Sequence, residues 1–199
     1  MSMTALPPLE AADVTYVRAH FLPLDLLAAA HGWDADTLRR AIDAGSIPQP
    51  TYTLPDGTAM VPVDYFTLIG DGDDLATLRT RFVARWEAAL ARLGLTAAPG
   101  DADDEWAGYL GGGYGACLKS VTPEMIALKR ALTTAIESLL AEPDDADVAW
   151  CAALRDAVAR YDAFAMPFAA WDRIRFGGPV TRDRLVDDVR RRFPGAFTV

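Results

Sequence analysis

A chain of 199 residues, 51% hydrophobic and 24% charged, is long enough for one large core or two small ones and too apolar to be a linker or an acidic tail. The apolar stretch near Phe21 to Ala30 is broken by Pro23 and Asp25 and falls short of the roughly 20 apolar residues that a membrane helix needs, so no membrane span or signal peptide is expected. The net charge of −9 is uneven: residues 1–70 carry eight acids against three bases, residues 71–141 ten against seven, and residues 142–199 ten against nine. The acidity therefore gathers at the N-terminus, where it opposes the cationic contacts on which DNA affinity rests.

Cys117 and Cys151, with His20 and His31, form no metal-ligand spacing, so neither a disulfide framework nor a metal site is expected, and the reducing cytoplasm is the natural compartment. From Glu10 to Gly70 the local signals run helix, helix, tight turn, helix, hairpin, helix. Leu24 to Ala30 forms a short helix ended by His31-Gly32, and Asp34 is a good N-cap for a second helix in which Leu38 and Ile42 are four apart. Gly45 closes that helix. TYTLPDGTAMVP then reads as two short strands joined at Pro55-Asp56-Gly57, and Pro62 opens a further helix with Tyr65, Phe66 and Leu68.

The stretch LLAAAHGWDADTLRRAIDAGSIPQPTYTLPDGTAMVPVDYF resembles the helix-turn-helix and wing of MerR-type regulators and excisionases. That resemblance implies a second helix, Asp34 to Ala44, lying in a DNA major groove with Arg39 and Arg40 as its cations. Asp34, Asp36 and Asp43 on the same helix oppose the role, and nucleic acid is not the expected partner.

A long helix is predicted from Asp73 or Asp74, with Leu75, Leu78, Phe82, Trp86, Leu90 and Leu93 recurring at spacings of three and four. On its outer side Arg81, Arg85 and Arg92 share a face, which is either solvated or offered to an acidic protein partner. Two more helices, Pro123 to Ala141 and about Asp145 to Phe164, flank the turn Glu142-Pro143-Asp144 and are expected to pack as a hairpin. Met125, Leu128, Leu132, Ile136 and Leu139 would face Cys151, Leu154, Val158 and Tyr161, placing Cys151 in the core. Thr181 is expected to cap a last helix through Phe193, with Arg190, Arg191 and Arg192 at the end where cations suit the helix dipole.

Two segments could carry chemistry. In DEWAGYLGGGYGACLKSVTPE, three consecutive glycines between Tyr109 and Tyr114 interrupt a helical pattern, so Gly112 and Gly113 could let backbone approach a ligand, or could simply hinge packed helices. The segment ends at Thr122-Pro123-Glu124, an N-cap, a first-turn proline and an acid, which start the next helix beside the glycines. Gly111, Gly113 and Ala116 fit a G-x-G-x-x-A spacing but follow a helix rather than a strand, and Lys119-Ser120 lacks the glycine of a phosphate loop, so no dinucleotide or other cofactor is expected. Cys117 reads as a structural thiol, both histidines lying in the N-terminal module.

In MPFAAWDRIRFGGPVTRDRL, the charges Asp172, Arg173, Arg175, Arg182, Asp183 and Arg184 crowd around Gly177-Gly178-Pro179, where they could bind an anion or pair internally, for example Asp172 with Arg182. Aspartate clusters at Asp71 to Asp74, Asp101 to Glu105 and Asp144 to Asp147 sit at predicted helix starts, which explains them as caps without metal.

WAGYLGGGYGACLKSVTPE and PFAAWDRIRFGGPVTRDRL, with the N-terminal PQPTYTLPDGTAMVPVDYF, resemble an uncharacterised family of actinobacterial proteins associated with natural-product biosynthesis clusters. The expected fold is mainly α: a winged helix-turn-helix-like module with a short β-hairpin over residues 1–70, then a helical bundle over residues 71–199, the two either separate or sharing one core. The expected function is binding, with or without transformation, of a small-molecule metabolite of specialised metabolism between the two parts. Tyr109, Gly112, Gly113, Lys119, Asp172, Arg173 and Arg182 would contact the ligand, and Glu124 and Tyr114 would move protons without metal or redox cofactor. The alternatives are a regulator reading DNA through Arg39 and Arg40, and a scaffold holding an acidic partner on Arg81, Arg85 and Arg92.

Overall fold

The computed structural model describes residues 6–70 and 74–198. Helix α1 (Ala11–His20) leads through a two-residue strand β1 (Leu22–Pro23) to α2 (Leu24–Ala30) and α3 (Ala35–Asp43). The capping signals act as the sequence predicts: the Asp34 carboxylate accepts from the Thr37 amide at 2.9 Å, and Gly45 (φ +63°) turns the chain out of α3. Strands β2 (Tyr52–Thr53) and β3 (Ala59–Val61) form the expected hairpin, with Tyr52 opposite Met60, and α4 (Phe66–Ile69) follows. The hairpin gains a third antiparallel strand, since Leu22 pairs with Val61 and Pro23 with Met60. Two residues carry no readable alternation, and the proline sits where it is tolerated, on the edge of a sheet ordered β1-β3-β2.

The long helix α5 (Leu78–Arg92) follows a single 3₁₀ turn, Leu75–Thr77. Of its expected start, Asp73 lies outside the described residues, and Asp74 precedes the 3₁₀ turn. Leu78, Phe82, Trp86 and Leu90 are buried as their spacing requires, whereas Leu93 lies past the helix end and is exposed. Helices α6 (Asp101–Leu110), α7 (Gly113–Cys117), α8 (Pro123–Ala141) and α9 (Val148–Phe164) come next. Thr122 and Pro123 start α8 as predicted, the Thr122 hydroxyl accepting from the Met125 amide at 3.3 Å. Helix α8 packs on both α5 and α9.

Two expectations shift in the C-terminal part. Asp147 caps α9, and Trp150, which donates to the Leu139 carbonyl at 3.1 Å and packs on Phe193, takes the buried position ahead of Leu154, while Cys151 sits half-buried at the edge and donates to the Asp145 carbonyl at 3.4 Å. After α10 (Ala170–Arg175), the helix starting at Thr181 is not uniform: Asp183–Asp187 is wound as a π-helix before α11 (Asp188–Arg192) and α12 (Pro194–Phe197). Thr181 lies inside this helix rather than capping it, and the Asp183 carboxylate accepts from the Val180 amide at 3.1 Å.

One buried cluster runs from Leu24, Leu38, Ile47 and Phe66 to Trp86, Ile136, Leu154, Tyr161 and Val189, so residues on both sides of position 71 belong to the same core. A smaller cluster joins Val17, Phe21, Tyr52 and Met60 to Ala116, Met166, Phe168 and Val180. Asp13 ties α1 to α10, its carboxylate accepting from the Trp171 amide at 3.1 Å and the Glu10 amide at 3.1 Å. Among the described residues no helix is long and apolar enough to cross a membrane.

Candidate functional site

The glycine segment and the N-terminal elements meet in a close joint. Gln49 donates its amide to the Leu110 carbonyl at 2.8 Å, and the buried Thr51 hydroxyl donates to the Gly112 carbonyl at 3.2 Å. A Cβ on Gly112 would overlap the Gln49 carbonyl, and one on Gly115 would overlap the Thr51 hydroxyl; Gly112 also has φ +71°. The close approach that these glycines permit is thus to another segment of the same chain, backbone at Gly112 and side chain at Gly115. Gly113, by contrast, has nothing near its missing Cβ. The space left beside Tyr65, Tyr109, Tyr114 and Gly115 is about 20 Å³, room for one water and no larger molecule.

The side chains expected to act around this segment are bonded within the protein. Tyr114 donates its hydroxyl to Glu105, and burial holds its phenol protonated. Glu124 receives both prongs of Arg85 at 2.8 Å, which holds its carboxyl below the usual glutamate range. That pairing takes Arg85 out of the expected cationic face; Arg81 is half-buried and donates to the Asp74 carbonyl at 3.3 Å, and Arg92 is exposed. Tyr109 is buried with its phenol raised by burial, and the Lys119 ammonium, exposed, donates to the Ala163 carbonyl at 2.8 Å.

In the second segment the charges pair, though not as Asp172 with Arg182. Arg182 bonds Asp162, and Arg173 reaches Asp183 at 2.5 Å and the Ala169 carbonyl at 3.0 Å. Asp172 is completely buried. One of its oxygens accepts from the Tyr52 hydroxyl at 2.7 Å and the Ala169 amide at 2.9 Å, and the other, Oδ1, has no partner. Burial pushes the Asp172 carboxyl up, against the pull of Tyr52, Ala169, Arg175 and Arg173. Burial and the adjacent Asp172 also raise the Tyr16 and Tyr52 phenols. Of the aspartates at helix starts, Asp147 caps α9, accepting from the Ala149 amide at 3.0 Å, whereas α6 has no side-chain cap: Asp101 accepts from the Ala98 amide at 2.7 Å and from Arg130 at 2.5 Å, and Asp103 pairs with Arg79. Asp71 and Asp73 lie outside the described residues.

Next to this buried carboxylate lies a ligand-sized cleft of about 380 Å³, bordered by Cys117, Lys129, Phe168, Phe176, Pro179, Val180, Thr181 and Arg184. Its walls contain two departures from ordinary backbone. Phe168 has φ +64°, the only non-glycine residue with positive φ among the described residues, and a bulky side chain there is strained. Arg184 belongs to the π-helical turn, a feature that recurs at functional sites. The short pairing of Leu118 with Ala165 and the bond from the Met166 amide to the Cys117 carbonyl (3.0 Å) hold Cys117 at the inner wall. Burial pushes the Cys117 thiol up, with Lys129 opposing, so the wall presents a neutral thiol rather than a nucleophilic thiolate.

A family model described as a family of unknown function, DUF6058, matches residues 78–194. The chain belongs to the DUF6058 family. No curated protein and no solved structure matches it. The DUF6058 unit starts on the first residue of α5 and ends on the first residue of α12, leaving α1 to α4 and the sheet outside. Every residue bordering the cleft lies inside the unit, whereas the glycine joint needs Gln49 and Thr51 from outside it. Of the sequence candidates, Tyr109, Gly112 and Tyr114 share the joint; Asp172 is buried on Tyr52 and the Ala169 amide outside the border of the cleft, and Arg173, Arg182, Lys119 and Glu124 are bonded elsewhere. Arg184 is among the charges that the sequence offers as an anion site and Thr181 is offered only as a helix cap, whereas Lys129, Phe168 and Phe176 carry no local cue; the five come from four separate segments.

Proposed function

We propose that this DUF6058 protein binds a small, largely apolar molecule in the cleft between Phe168, Phe176 and α8, as a binding rather than catalytic component, in the setting of specialised metabolism. The observation that carries the reading is the cleft itself: its size falls within the range of ligand pockets, roughly 300–1,000 Å³, and its walls combine aromatic and aliphatic surface with a few polar groups. The engaged states of Glu124 and Tyr114 and the neutral thiol of Cys117 favour binding over proton transfer or nucleophilic attack. Neutral Nile red is expected to brighten on the wild-type protein and not on Thr181→Trp, which fills the cleft from a half-buried position. Equal brightening of a folded Thr181→Trp would overturn the proposal.

We read the N-terminal elements as a winged module serving the joint rather than DNA. The order α2, α3, β2, β3 favours the winged assignment, with α3 lying beside the hairpin. Arg39 and Arg40 are exposed on α3, but Arg39 is paired with Asp36 at 2.9 Å, and the cleft between α3 and the hairpin includes Asp25 and Asp56. A gel shift at low salt is expected to show no duplex binding; retardation that disappears in Arg39→Ala/Arg40→Ala would restore the regulator reading.

A further inference from the structure

We propose that the ligand of the cleft is an apolar monocarboxylate, its body against Phe168, Phe176 and Val180 and its carboxylate between Lys129 and Arg184. The inference rests on the reading of the cleft as a ligand site and adds the charge and class of the ligand. The border of the cleft contains two cations and no acid. Lys129, on α8, is half-buried and makes no ion pair among the described residues; its ammonium lies 5.2 Å from the centre of the Tyr114 ring, whose hydroxyl is already given to Glu105. Arg184 has one ion pair, to Glu137 at 3.4 Å with both side chains about half exposed, too loose and solvated to neutralise it fully.

Asp183 holds Arg173 and the Val180 amide, and Asp172, which gives one oxygen to Tyr52 and the Ala169 amide and leaves Oδ1 without a partner, does not border the cleft. The cleft therefore keeps close to one unit of positive charge beyond what Glu137 offsets, which suits a monoanion better than a dianionic phosphate. A guanidinium beside an ammonium matches a carboxylate, taken two-pronged by the arginine and by point charge at the lysine. The apolar remainder is set by the two phenylalanines and Val180.

The test is displacement of Nile red from the intact protein by 1-naphthoate, by its neutral isostere 1-naphthamide, and by 1-naphthyl phosphate. Naphthoate is expected to compete at least about ten-fold more tightly than the amide, the size of one charge-assisted hydrogen bond. Lys129→Met and Arg184→Gln should each erode that advantage, weakening the acid several-fold more than the amide. Equal competition by acid and amide would overturn the carboxylate assignment but leave the cleft as a binding site, and tighter competition by the phosphate would overturn the monoanion. If Nile red does not bind the wild-type protein at all, the cleft reading fails and this inference with it. Both substitutions are at partly or fully exposed side chains, so loss of fold, checked by circular dichroism, is not the expected cause of any change.

Discussion

The glycine joint and the Phe168 cleft contrast in how they use unusual backbone. At the joint, Gly112 and Gly115 remove side chains so that two segments of the same chain can touch, and the result is filled, bonded and dry except for a water-sized gap. At the cleft, a phenylalanine stands where a glycine would be comfortable, a helix is wound too wide, and about 380 Å³ stays open. A run of glycines reports close approach without saying to what. Strain kept at a residue that could have been glycine, beside open volume, points more directly to function.

The largest effect that would sharpen this contrast is expected at the joint. Gly112→Ala should lower stability by about 3 kcal/mol, because the new Cβ meets the Gln49 carbonyl and the residue is left-handed, whereas Gly113→Ala should change it by less than about 0.5 kcal/mol. Urea denaturation of the two variants decides: equal effects would mean that the joint is not packed as described. Binding in the cleft should survive Gly113→Ala unchanged.

Asp172 comes next, since it links the two regions through Tyr52. Asp172→Ala strands the Tyr52 hydroxyl and the Ala169 amide and is expected to cost about 2 kcal/mol, while Asp172→Asn keeps an acceptor and should cost less. Because burial raises this carboxyl in the fold, the folded protein binds its proton more tightly than the unfolded chain does. Relative to Asp172→Asn, the wild type should therefore be most stable below the unfolded aspartate value of about 4 and lose that advantage as pH rises towards the folded value. A difference that instead grows with pH would show that the carboxylate is stabilised, not stressed, by its surroundings.

A smaller effect, of opposite sign, is expected at Glu124. Arg85 lowers its carboxyl, so the ion pair contributes above the unfolded glutamate value of about 4.3 and is lost as pH falls through the lower folded value. Glu124→Gln should cost no more than about 1 kcal/mol at neutral pH, since the pair is partly exposed, and should leave Nile red binding intact. Loss of binding with stability retained would move the functional site back towards the glycine segment. Smallest of all, Arg39→Ala breaks an exposed pair with Asp36 and should alter stability by less than about 0.5 kcal/mol in a thermal melt.

By itself the sequence determined what is local: the Asp34 cap of α3, the turn at Pro55-Asp56-Gly57, the Thr122-Pro123 start and full extent of α8, and the buried stripe of α5. Each depends on residues within a few positions of one another, where propensity, capping and periodicity act directly. Tertiary structure decided the rest. Strand β1 exists only because β3 offers an edge, Trp150 rather than Cys151 is in the core because Phe193 and the Leu139 carbonyl meet it there, and Gly112 faces Gln49 because the N-terminal part docks there. The partners of Asp172, Arg173 and Arg182 were fixed by packing, since any of several nearby charges satisfies composition equally. The cleft was legible only in pieces: six of its eight bordering residues, Phe168 to Arg184, lie in the charged segment and Cys117 in the glycine segment, but that the two segments meet, with Lys129 of α8 between them in sequence, is a long-range contact that no local pattern reports.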